Sequence, residues 1–209
     1  MNAILLCSAL YITVQDIAIT NPGDNKAPRR GIYIYAPDLG EVKGITLQRL
    51  YIHGIRGWMP STTATGIGTG KYTNASGGIV FEAAGYETAT WFTDVTVQDN
   101  VIRSVDRQGI YTWTNWCPRP EMVSFWEELC FQPWHASTGY LVQRNRLYDI
   151  GGDGIVVHGH ENALVRNNTL VGYNRRSQSP NAGIWTANSD GKLFQYNIVS
   201  GGKTTQDGE

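Results

Sequence analysis

An internal repeat limits what this chain can fold into more than any other feature. Six segments align on one alternating apolar pattern: Ile12 to Ile17, Ile45 to Leu50, Val95 to Asn100, Tyr140 to Asn145, Ala163 to Asn168 and Lys192 to Asn197. Five are followed by a second motif, Gly-Ile-x-apolar or a close variant, starting at Gly31, Gly78, Gly109, Gly154 and Gly183, and Gly208 falls where a sixth is due. The shortest cycle, Asn145 to Asn168, is 23 residues long. That is too short for strand, helix and return strand, but it suits two or three short strands joined by tight turns. Period-2 alternation with β-branched residues reads as strand, the recurring Gly marks a turn that bulky residues resist, and equal cycles stack each strand on its predecessor in parallel. The expected fold is an all-β, single-stranded parallel β-helix of about six rungs occupying residues 1–209 as one domain.

Asn100, Asn145, Asn168 and Asn197 share one register position. Asn tolerates left-handed backbone, and its amide can hydrogen-bond to the rungs above and below, so a side-chain ladder is expected in one turn. Ile17 and Leu50 hold that position in the first two rungs, so the ladder should begin at the third. Two cycles carry insertions, 57–77 and 114–138, expected to leave the coil as loops while its register resumes afterwards.

The remaining composition excludes several classes. With 17 Lys+Arg against 18 Asp+Glu the net charge is -1, giving no electrostatic footprint for nucleic acid. No apolar stretch approaches the roughly 20 residues of a membrane span. Met1 to Leu10 lacks a basic leader region and runs straight into the strand pattern of Tyr11 to Val14, so it reads as structure and not as a signal peptide. Of three cysteines, Cys7 lies in a strand-like run and is expected in the core. Cys117 and Cys130 bracket one irregular stretch, either bridged or as two thiols. Gly66 to Lys71 invites a phosphate-loop reading, but Thr65 stands where the first Gly is required and Tyr72 where Ser or Thr is, so it reads as an insertion tip.

The repeated strand, Asn turn, strand and Gly-Ile pattern resembles the right-handed parallel β-helix repeat proteins of the pectate-lyase-like superfamily. Arg29 to Tyr35, Asp106 to Ile110 and Gly151 to Val157 carry the resemblance most closely. It implies a right-handed coil, a secreted or periplasmic location and a polysaccharide or oligosaccharide partner. Such proteins carry more rungs and an N-terminal cap, so the resemblance also implies a piece of a longer protein. The paired Asp and Arg-x-Lys motifs of polygalacturonases are absent, and no constellation matches the pectate lyases. No catalytic residue is therefore carried over.

Alternation along the Gly-Ile strands puts the isoleucines inward and leaves two outward columns, Tyr33, Tyr111 and Trp185 in one and Tyr35, Glu82, Trp113 and His158 in the other. Outward aromatics are costly unless covered, either by the insertions or by a ligand, for which flat rings suit the C–H faces of sugars. The acids near that face are Glu82, Asp106, Asp153 and Asp207. Carboxylates one rung apart approach the roughly 5 Å of retaining glycosidases, and two rungs apart, as Asp153 and Asp207 are, the roughly 9 Å of inverting ones. An Asp before Gly is equally an ordinary turn signal. Glu82 has no turn role, and apolar neighbours are expected to raise its pKa. His158 and His160, facing one way if the strand continues through Gly159, form a pair without a third ligand, so no metal is assigned.

These readings point to glycoside hydrolysis with Glu82 and Asp153 as acid and base, Asp106 and Asp207 as further candidates and His158 as polar partner. Tyr33, Tyr35, Tyr111, Trp113, Trp185, Arg107 and His160 would bind substrate, and no cofactor is needed. Two alternatives stand beside it. One is a polysaccharide lyase using Arg107 or His158 as base, with calcium as its cation. The other is a non-catalytic glycan-binding, adhesin or scaffold β-helix.

Overall fold

A computed structural model describes residues 1–24, 27–59, 76–114, 116, 134–177 and 181–203. Asp207, Gly208, Cys117, Cys130 and Gly66 to Lys71 lie outside the described residues. The first rung comprises β1 (Asn2–Cys7), β2 (Thr13–Gln15) and β3 (Ala18–Asn21), and the second β4 (Arg30–Pro37), β5 (Glu41–Gln48) and β6 (Tyr51–Ile55). The third is β7 (Gly77–Ala84), β8 (Trp91–Gln98) and β9 (Val101–Val105), and the fourth β10 (Gln108–Thr114), β11 (Thr138–Gln143) and β12 (Arg146–Ile150). The fifth is β13 (Ile155–His158), β14 (Leu164–Arg166) and β15 (Thr169–Val171), and the sixth β16 (Ile184–Ala187), β17 (Leu193–Gln195) and β18 (Ile198–Ser200).

Every third strand pairs in parallel, which makes three six-stranded sheets and a right-handed parallel β-helix of six rungs. We call them sheet A (from β1 to β16), sheet B (β2 to β17) and sheet C (β3 to β18). Among the described residues no helix occurs, and none is long and apolar enough to cross a membrane. β7 and β11 begin at Gly77 and Thr138, and most of the two expected insertions lies outside the described residues.

Alternation fills the interior with aligned columns. Ile32, Ile79, Ile110 and Ile155 stack from sheet A, Leu47, Val97, Val142 and Val165 from sheet B, and Ile52, Ile102, Leu147 and Leu170 from sheet C, all buried. Cys7, expected inside, is instead exposed, because in β1 the inward positions are Ile4 and Leu6.

The asparagine ladder forms with two buried links and a third that is partly buried. Asn100 Nδ2 donates to Asn145 Oδ1 (2.8 Å), Asn145 Nδ2 to Asn168 Oδ1 (3.0 Å) and Asn168 Nδ2 to Asn197 Oδ1 (3.0 Å). Each Oδ1 also accepts the backbone N–H of the preceding Asn, and each Nδ2 also donates to a sheet B carbonyl, as Asn145 does to Val97 (2.9 Å). The ladder starts at the third rung, where Asn100 Oδ1 accepts the N–H of Leu50. Its asparagines do not occupy the left-handed region. The residue before each does, at Asp99 (φ 56°), Arg144 (φ 53°), Asn167 (φ 54°) and Tyr196 (φ 55°). Asn is thus required for its buried amide, which satisfies corner backbone groups that water cannot reach.

The Gly-Ile glycines correct a second expectation. None of Gly31, Gly78, Gly109, Gly154 and Gly183 has positive φ. They serve close approach instead: a Cβ at Gly109 would stand 2.5 Å from the Gly154 carbonyl oxygen and 2.5 Å from Leu147 Cδ2. Only a bare Cα lets sheet A close onto the sheet C side chains.

Two further ladders reinforce the corner. Gln48 donates to Gln15, Gln98 to Gln48 and Gln143 to Gln98 at 2.7 to 2.8 Å, and Arg166 Nε donates to Gln143 Oε1 (3.0 Å). Beside them Arg49 clasps Asp16 and Arg144 clasps Asp99, each through two N–H···O bonds.

Asn145 of the fourth rung and Asn167 of the fifth separate these roles. Asn145→Ala, which strips four hydrogen bonds from the buried column, should cost about 3 kcal/mol in urea unfolding, whereas Asn167→Gly, at an exposed left-handed position, should stay within about 0.5 kcal/mol of the parent. Equal losses would deny the ladder its role.

Candidate functional site

The Gly-Ile strands place one side chain per rung in each outward column of sheet A. Register puts Tyr33, Val80, Tyr111, Val156 and Trp185 side by side, an alternation of large and small that fills space without collision. Two positions further along lie Tyr35, Glu82 and Trp113, with the His158 ring stacked 4.9 Å from that of Trp113. Both expected columns therefore exist.

Their surroundings differ from an open platform. Tyr111 is 2% exposed, Trp113 7% and Val156 0%, and with Val80, Tyr33 and Trp185 they make a second apolar cluster on the outside of the coil. Val80 and Val156 were the overlooked members of the first column; they stand at the x of Gly-Ile-x, the sequence position that also supplied the aromatics. Arg30 lies over the Tyr33 ring, 4.0 Å from its centroid.

Glu82 is half-buried, and its Oε2 accepts the Tyr33 hydroxyl. Burial first, and the Glu82 charge next, push the Tyr33 hydroxyl well above its ordinary pKa, so it remains a donor. Tyr35 is raised for the same two reasons.

Asp153 is elsewhere and differently held. It is 0% exposed, and its Oδ1 accepts Trp185 Nε1 (2.8 Å) and the Ala182 N–H (3.0 Å). Arg107 is buried nearby. Desolvation lowers its pKa, opposed by Tyr111 and Asp153, and it stays a cation. Asp153 lies five positions before His158 and two rungs from Glu82, so strand geometry separates the two acids by about 19 Å. They cannot serve one glycosidic bond together.

Asp106 leaves the sheet face altogether. Its carboxylate sits at the corner between β9 and β10, where it accepts Arg56 Nη1 (2.6 Å) and the Gly57 N–H (3.0 Å) and pairs with Arg176 Nε (3.2 Å). It ties together three segments of the coil.

The histidines also part. β13 ends at His158, and Gly159 turns the chain with φ 70°. His158 consequently faces outward onto Trp113, while His160 packs 4.4 Å from the ring of Tyr140 in the interior. The expectation that both imidazoles face one way fails at that glycine. His160 Nδ1 donates to the His158 carbonyl (2.7 Å), which leaves Nε2 as a buried acceptor; Nε2, His158 Nδ1 and the Tyr140 hydroxyl have no hydrogen-bond partner among the described residues. Burial lowers His158 to about 4 and His160 to about 3. Among the described residues no group of three His, Cys, Asp or Glu is placed to hold a metal ion.

No protein-family model matches the chain, and no curated protein matches it. Solved structures do. The chain is similar to the GH136 lacto-N-biosidase from Eubacterium ramulus, at 21% identity and TM-score 0.67 for the selenomethionine derivative and 22% and 0.64 for the native protein. Each match covers 94% of this chain and 38% of that one. At this identity the likeness shows the fold, and the chain spans well under half the length of the protein it matches.

Both buried histidines are neutral when folded and have depressed pKa values, so the unfolded chain binds protons first as pH falls below about 6.5. Stability should therefore be full above that pH and decline from there down to about 4 for His158 and about 3 for His160, by up to one proton's linkage per histidine. Urea midpoints at pH 7 and pH 5 measure it, and His160→Phe should flatten the dependence; an unchanged slope would mean that His160 is not buried neutral.

Proposed function

We propose that this chain is part of a carbohydrate-active β-helix that hydrolyses glycosidic bonds at the Glu82 edge of sheet A. The observation that carries the reading is Glu82 itself: a half-buried acid on a strand, held by the Tyr33 hydroxyl between Tyr35 and Trp113, with no cap, turn or ion pair among the described residues to account for it. With Oε2 committed to Tyr33, Oε1 is the oxygen that carries the proton to a leaving group, the task of a general acid. Tyr35, also half-buried, offers the ring against which a sugar would pack. Trp113, Tyr111, Trp185 and Arg107 would act from beneath, by shaping and stiffening the floor. Asp153 would be a positioning residue, fixing Trp185 and the segment at Ala182. The fold-level likeness to a protein named as a lacto-N-biosidase supports carbohydrate as the partner class, and with it an extracellular or periplasmic setting.

A non-catalytic glycan-binding role is the second reading. It is favoured by the placement of Asp153 five positions before His158 and two rungs from Glu82, a separation of about 19 Å at ideal strand spacing, which leaves Glu82 without the second carboxylate of the sequence-based scheme. Elimination has less support, because Arg107 and His158, its bases, are both buried.

A glycan array followed by a reducing-sugar assay tests this. On the glycan that is cleaved, Glu82→Gln should lower turnover about 100-fold or more while leaving binding and the melting temperature nearly unchanged. Trp113→Ala should instead destabilise the chain by about 3 kcal/mol, because it empties a packed layer. Full activity in Glu82→Gln would remove Glu82 from the chemistry, and binding without turnover in the parent would establish the second reading.

A further inference from the structure

Sheet C carries on its outer face a cluster that the sheet A site does not use. Register across β6, β9 and β12 sets Tyr51, Val101 and Arg146 in one column and His53, Arg103 and Tyr148 in the next. Tyr51 and Tyr148 are 40% and 37% exposed, and the Tyr51 ring stacks on His53 at 4.5 Å. Unlike the rings of sheet A, these stand open to solvent.

The charge around them is unbalanced in one direction. Each neighbouring carboxylate already has its cation: Asp16 has Arg49, Asp99 has Arg144, Asp149 has Arg176, and Asp106 has Arg56 and Arg176. Arg103 and Arg146 are exposed and take part in no ion pair or side-chain hydrogen bond among the described residues. They sit diagonally on adjacent strands, about 8 Å apart at the backbone, a spacing from which two planar guanidiniums can converge on one carboxylate. An open hollow lined by Asp16, Ile17, Arg49, Leu50, Asp99 and Val101 continues the surface past Tyr51.

We propose that this face binds an acidic oligosaccharide, with a uronate ring held by Arg103 and Arg146 and the flanking rings packed on Tyr51 and Tyr148. The occupant follows from complementarity. Two unpaired cations call for an anion, and two exposed phenol rings on either side of them call for the C–H faces of sugars and not for a compact ion. The site lies on a different sheet from Glu82, so it neither requires nor supports the hydrolytic reading.

Calorimetric titration of the full chain with a hexasaccharide of alternating glucuronate and N-acetylglucosamine tests it, with chitohexaose as the neutral counterpart. The acidic hexasaccharide should bind at least about tenfold more tightly, and the double variant Arg103→Gln/Arg146→Gln should abolish that difference. Tyr148→Ser should weaken binding several-fold with the salt dependence retained, whereas Glu82→Gln should leave it unchanged. The sheet C substitutions are at exposed positions, and an unaltered melting temperature confirms that each variant is folded. Absence of binding, equal affinity for chitohexaose, or full binding by the double arginine variant would each overturn the proposal.

Discussion

The structure depends on keeping polar backbone satisfied where one sheet of the coil bends into the next. Within a sheet each rung supplies the hydrogen bonds of its neighbour, but a corner interrupts that exchange and is buried, so water cannot replace it. The asparagine column answers this. One amide accepts from the rung before, donates to the rung after and caps a strand carbonyl. The left-handed turn that precedes it falls to an exposed neighbour, which can be Asp, Arg, Asn or Tyr because its side chain points into solvent. With the corners fixed, the glycines of sheet A can stand close against sheet C, and the isoleucines fall into line.

This explains why the fold was legible in the sequence and the site much less so. A corner that recurs every rung leaves a periodic signature, so the Asn column and the Gly-Ile motif stand out in the sequence itself. The reasons attached to them were less secure: Asn was credited with the left-handed backbone that belongs to Asp99, Arg144 and Asn167, and Gly with a turn where it provides a close approach. The glutamine ladder stood in the same aligned segments and was passed over, because outward polar residues look alike until their partners are known.

The sheet A face shows what alternation cannot tell. A period of two assigns Tyr111, Trp113 and Val156 to the outside of the coil, but outside the coil is not outside the protein. Asp153 and Glu82, both read as acids of one face, differ in burial and partners because the first precedes its strand and the second lies near the end of its own. His158 and His160 diverge at a single glycine. None of these distinctions is contained in a period of two.

The two amide ladders have a direction. Asparagine Nδ2 groups donate toward the later rung, whereas glutamine Nε2 groups donate toward the earlier one, and Arg166, which can only donate, fixes the sense of the glutamine series by engaging Gln143 Oε1. Two parallel lines of aligned dipoles thus run in opposite senses along the stack. The third and fourth rungs, which carry both a Gln and an Asn, present the same donor on one side and the same acceptor on the other. A whole rung could in principle be excised or duplicated and the new neighbours would still match, whereas removal of part of one would set donor against donor. The unit of change in such a molecule is the complete turn of the coil.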